Sequence, residues 1–127
     1  MLLTLSLTAA HVIVSGPTLL GERPHGLNPK DAVLDAYAEI NRRLSHEYHA
    51  TWIDTRRAAF HWLRANSANR QRDSGQLTED GEHLNAEGTR LVAAEMSYAM
   101  GRWLSGRAET PVSLVQPAAP HLEPPPP

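Results

Sequence analysis

The stretch HVIVSGP, residues 11–17, decides how the chain is read. A β-branched run that stops at Ser15, Gly16 and Pro17 is what a buried strand looks like where it meets a loop. A second run of the same kind, Thr51-Trp52-Ile53, ends on Asp54. Between them Asn28 is placed as an N-cap, with Pro29 at the first helical position and Asp31 in the first turn, where the helix dipole favours negative charge. Leu34, Tyr37, Asn41 and Leu44 then fall on one face by the three-four rule, joined by Val33 and Ile40, and predict a helix to about Leu44 that packs on something apolar. Residues 56–64 predict another helix, with Ala59, Phe60 and Leu63 turned inward. Strand, helix, strand, helix argues for an α/β layer with parallel strands, because a parallel pair needs a crossover and a helix is the usual one.

Outward from this unit the chain is less regular. LLTLSLTAA, before the first strand, reads as the end of a helix feeding it. The run MLLTLSLTAAHVIV is too short to span a bilayer and has no Lys or Arg ahead of it; it resembles the apolar part of an export signal, but a buried element is the preferred reading. Residues 15–28 hold three Gly and two Pro and mark a long loop at the carboxyl end of a strand, where Leu19 and Leu20 either line an acyl pocket or simply pack. Residues 65–79 are polar and aperiodic, hence a loop. A last helix is expected from the N-cap Asn85, with Glu87 in its first turn, through Leu91, Val92, Met96, Ala99 and Trp103. Residues 1–105 therefore read as one domain and 106–127, rich in Pro and ending in PPPP, as a disordered tail.

Composition narrows the chemistry. Of the 12 basic residues only Arg56, Arg57, Arg64, Arg70 and Arg72 cluster, and with a net charge of −2 the chain lacks the dense basic face that nucleic acid requires. Without cysteine there is no disulfide, thiolate metal site or cysteine nucleophile, so histidine and carboxylates must do any chemistry. His46-Glu47-Tyr48-His49 has its histidines three apart rather than the four of a zinc-binding helix. Neither a metal nor another cofactor is expected.

The sharpest feature is DGEHLNAEG, residues 80–88, which sets Asp80 and His83 three apart just before a capped helix. A catalytic imidazole needs one nitrogen aimed at the nucleophile and the other held by a carboxylate that fixes its tautomer. On a non-helical loop this spacing can bring both side chains to one edge of the sheet, and Gly81 lets the loop turn sharply.

Here the sequence resembles the last block of the SGNH/GDSL hydrolases, in which Asp-x-x-His is followed by Leu, a polar residue and Gly; these are Asp80, His83, Leu84, Asn85 and Gly88. The surroundings agree over residues 3–104: an apolar strand ending in a small residue and Pro, a helix with Tyr37 and Asn41 on its inner side, and a short strand ending in Asp54. The resemblance implies a partial flavodoxin-like α/β/α sandwich with the N-terminal strands missing. It also implies a serine esterase or acylhydrolase of small ester or acyl substrates, with His83 as general base and then acid, and Asp80 as its orienting partner.

The family's nucleophile sits in an N-terminal Gly-Asp-Ser motif, and its oxyanion Gly and Asn come from two further blocks; none is found in this sequence. Arg72-Asp73-Ser74 is the closest imitation, but Arg replaces Gly and the segment lies in a polar loop. No Gly-x-Ser-x-Gly elbow occurs either. By itself the chain is thus expected to be inactive or nearly so, a truncated form of an esterase, because oxyanion donors are usually the largest single term in catalysis. A two-stranded sheet leaves long edges bare, which predicts marginal stability, self-association or a partner that covers the sheet. The alternative is a non-catalytic interaction protein that kept this fold. The absence of a convincing export signal leans towards the cytoplasm.

Overall fold

A computed structural model describes residues 11–66 and 72–106. The chain is mixed α/β, with β1 Ile13–Ser15, α1 Asp31–Glu47, β2 Thr51–Ile53, α2 Thr55–Asn66 and α3 Ala86–Leu104 in that order. β1 and β2 pair in parallel, Ile13 opposite Thr51, Val14 opposite Trp52 and Ser15 opposite Ile53. The alternation expected from the sequence is therefore present, as a partial α/β fold. The predicted helix before β1, residues 67–71 with Arg70, and the predicted tail beyond Gly106 lie outside the described residues. No helix among the described residues is long and apolar enough to cross a membrane.

Successive residues of a strand point to opposite faces. Thr51 turns to the α3 side, where its Oγ1 lies 2.7 Å from His11 Nε2 and the His11 ring stacks on Trp103 with centroids 4.7 Å apart. Trp52 turns to the other side and, with Ala38 of α1, lines a groove. Helices thus cover both faces of the pair. The main apolar cluster lies beyond the strand ends: Leu19, Ala59, Leu63 and Leu77 are buried together, with Phe60, Trp62 and Leu91 packed against them.

Two expectations need correction. Asn28 does not cap α1; the helix starts after Lys30 without a side-chain cap. The Asn28 amide is instead engaged inside the preceding loop, accepting from the Arg23 N–H (3.1 Å) and donating to the Arg23 carbonyl (2.9 Å) and to Asp31 (3.0 Å). Of the predicted stripe of α1, Leu34, Asn41 and Leu44 are half-buried, but Val33, Tyr37 and Ile40 are exposed, Tyr37 to 57%, and the fully buried positions of the helix are Asp31 and Ser45. On this inward face Asp31 pairs with the buried Arg56 of α2. Leu19 is 3% exposed and packs in the core, the second of the two roles open to it from the sequence.

Candidate functional site

Residues 72–85 form an irregular loop whose last part is closed by an isolated antiparallel bridge between Thr78 and Leu84 and by Glu79 N–H donating to the His83 carbonyl at 2.8 Å. Within this bridge Gly81 takes φ +95°, a left-handed conformation that glycine adopts without strain. The turn brings Asp80 and His83 together. Oδ1 of Asp80 accepts the backbone N–H of His83 (2.8 Å) and of Glu82 (3.0 Å), and Oδ2 lies 2.7 Å from His83 Nδ1. Asn85 then caps α3, its side chain accepting from Glu87 N–H (2.9 Å) and Gly88 N–H (3.0 Å), as the sequence predicts.

The electrostatics follow from these bonds. Asp80 is held well below the usual carboxylate range by the His83 N–H, then by the His83 ring and the Glu82 N–H. The His83 imidazole is pushed up by its hydrogen bond to Asp80, by that carboxylate's charge and by nearby Glu82. His83 is 74% exposed on its side chain, and no partner meets Nε2 among the described residues. One ring nitrogen is thus fixed on a carboxylate and the other faces outward, the arrangement a general base requires.

The serines do not complete it. Ser74 sits in a segment whose Asp73 is paired with Arg23, through Arg23 Nη2 to Oδ2 at 3.0 Å and a second bond from Nε, and among the described residues no hydrogen bond joins Ser74 to His83. Ser15, at the end of β1, bonds to the Gly16 carbonyl at 3.2 Å. His46 lies in the last turn of α1 while His49, at φ +53°, is beyond it, so the two do not share a helix face. Among the described residues no group of three or more metal-ligating side chains occurs.

Two polar clusters were not foreseen. Glu22 is buried and its carboxylate gathers the backbone N–H groups of Gln76, Leu77 and Thr78. Arg56 is buried between Asp31 and Asp35, donating from Nε to Asp35 at 2.8 Å and from Nη1 to the Thr18 carbonyl at 3.2 Å, with its guanidinium 4.7 Å from the Phe60 ring centroid. The sequence hints only at the second, by placing an Arg at the first turn of a helix next to inward-facing positions. A groove of about 570 Å³ opens beside it between α1 and α2, lined by Trp52, Phe60, Arg57 and Arg64 among others, and neither Asp80 nor His83 lines it.

No family model matches the sequence. No curated protein matches it either. Among solved structures the chain is similar to the crystal structure of an acetyl xylan esterase, AlAXEase, with a TM-score of 0.69 and 32% sequence identity, over 76% of this chain and 48% of that one. The chain therefore spans about half the length of that esterase. The likeness supports a partial α/β fold resembling that of the esterase.

Proposed function

We propose that this chain carries the base and its orienting acid of a Ser-His-Asp ester hydrolase of the SGNH/GDSL kind, with the serine and oxyanion donors supplied by polypeptide outside these residues. The observation that carries the reading is the Asp80 carboxylate, which bonds His83 Nδ1 at 2.7 Å and leaves Nε2 facing outward. In the reaction, Nε2 takes the proton of the serine hydroxyl as its oxygen attacks the ester carbonyl, and returns it to the alcohol as the acyl-enzyme forms. Nε2 next takes a proton from water, whose oxygen attacks the acyl carbonyl, and gives it back to the serine as the acid leaves. Asp80 keeps the Nδ1–H tautomer throughout and stabilises the imidazolium. Acetyl or other short acyl esters of a carbohydrate are the substrate class, by similarity to the acetyl xylan esterase. The test is turnover of a short-chain nitrophenyl ester by an extended polypeptide that carries a Gly-Asp-Ser block. Substituting His83→Ala is expected to abolish turnover, and full activity in that variant refutes the reading.

A second reading, a non-catalytic interaction protein, is favoured by a different feature. The outer edge of β1 has no partner strand among the described residues, and Tyr37, Ile40, Met96, Met100 and Trp103 are exposed. Such edges and apolar surface support a covering polypeptide, whether it brings a serine or only binds. Activity of the extended form separates the two.

A further inference from the structure

Glu22 lies far from His83 in sequence, on the loop after β1, yet the residue is only 2% exposed and both carboxylate oxygens accept hydrogen bonds. Oε1 accepts the N–H groups of Leu77 (2.8 Å) and Thr78 (2.6 Å) and the hydroxyl of Thr78 (2.6 Å), and Oε2 accepts the N–H of Gln76 (2.8 Å). Consecutive backbone N–H groups aimed at one point form an anion cradle of the type loops offer to phosphates. Here the protein's own carboxylate fills it. The chain of bonds continues towards the candidate base. Thr78 Oγ1, having donated its hydrogen to Glu22, accepts the Gly81 N–H at 3.1 Å, and Gly21, the neighbour of Glu22, donates its N–H to the Gly81 carbonyl at 2.7 Å. The peptide units on both sides of Gly81 are thereby fixed, and these are the units that connect Asp80 to Glu82 and His83.

We propose that Glu22 is a positioning residue for His83, acting through Thr78 and the Gly81 peptide units to hold the turn in which Asp80 meets the imidazole. The proposal rests on the reading of His83 as the base. A carboxylate suits the task because one oxygen can accept several charge-assisted bonds at once, which no neutral side chain does as well. A residue that merely anchored the loop would affect stability and leave the state of the His83 ring unchanged.

The experiment uses the full chain labelled with ¹⁵N in histidine, reading the His83 tautomer and its titration by long-range ¹H–¹⁵N spectra. In the unaltered chain His83 is expected as the Nδ1–H tautomer with a pKa above its ordinary value. Thr78→Val removes the hydroxyl link between Glu22 and the Gly81 N–H without changing any charge, and Asp80, Glu79 and Glu82, the carboxylates that act on His83, stay in place. It is expected to lower the His83 pKa by about half a unit, roughly a threefold change in proton affinity. Thr78→Ser restores the original titration, and Glu22→Gln, if it folds, lowers the pKa at least as far. A Thr78→Val chain with unaltered tautomer and titration overturns the proposal, whatever Glu22→Gln does. None of these readings depends on turnover, so failure of the base assignment in the ester assay is distinguishable from failure here.

Discussion

The carboxylate of Asp80 bonds both the ring and the backbone of His83, with Oδ2 at 2.7 Å from Nδ1 and Oδ1 at 2.8 Å from the backbone N–H. Ring orientation and loop shape therefore depend on a single side chain, and the pair is visible to pH. The raised pKa of His83 means that its contribution to stability is complete below the ordinary histidine value of about 6.5 and is lost as pH rises through the folded-state value. The depressed pKa of Asp80 means that its contribution is present above the ordinary carboxylate value of about 3.9 and is lost as pH falls through the depressed one. Urea unfolding across this range is expected to show a plateau between about pH 4 and 6.5 with a decline on each side, and Asp80→Asn is expected to flatten both declines. Both side chains face solvent, so the amplitude is small. A steep pH dependence that survives Asp80→Asn shows that other groups dominate.

Arg56 is the second point of leverage. Burial pushes Asp31 upward, but bonds from Arg56, Asn28 and the Gly26 N–H outweigh it and hold the carboxylate below its usual range. Arg56→Met leaves that buried charge without its main partner, which is expected to cost about 3–5 kcal/mol. The midpoint of urea unfolding measures this, and adding Asp31→Leu is expected to recover part of the loss, because removing both charges removes the desolvation penalty too. A single variant as stable as the parent contradicts the role assigned to the pair.

Two glycines of α3 are expected to respond in opposite directions to alanine. A Cβ on Gly88 would lie 2.1 Å from the Leu77 carbonyl oxygen, a backbone atom, so Gly88→Ala must displace the loop that precedes His83. At Gly101 a Cβ would meet nothing within 4 Å, and Gly101→Ala is expected to gain about 0.5–1 kcal/mol from reduced chain entropy and better helix propensity. Thermal unfolding of the two variants reads the contrast, a lower midpoint for Gly88→Ala and a higher one for Gly101→Ala. Equal responses contradict the close approach of α3 to residue 77.

What could be read from the sequence followed from local rules. The β-branched runs ending at Ser15 and Ile53, the Asn85 cap and the Asp80, Gly81, His83 turn each depend on neighbours in the chain, and each element lies where expected within a residue or two. The misreadings arise where the folded shape of a loop or distant residues decide. Asn28 looked like a cap because its competing partner, the Arg23 backbone, is reached only when the loop folds back on itself. Val33, Tyr37 and Ile40 of α1 are exposed, whereas Asp31 is buried against Arg56, 25 residues away in the chain. Glu22 gave no local signal, since its cradle is made of backbone N–H groups more than 50 residues further on.

The most direct test is a double-mutant cycle on ester turnover, using an extended polypeptide with a Gly-Asp-Ser block. His83→Ala alone is expected to lower turnover by about 10⁴-fold or more, and Asp80→Asn alone by about 10³- to 10⁴-fold. If the two act as one unit, the double variant should be no worse than His83→Ala. Turnover that survives either single substitution, or losses that multiply in the double variant, would contradict the account.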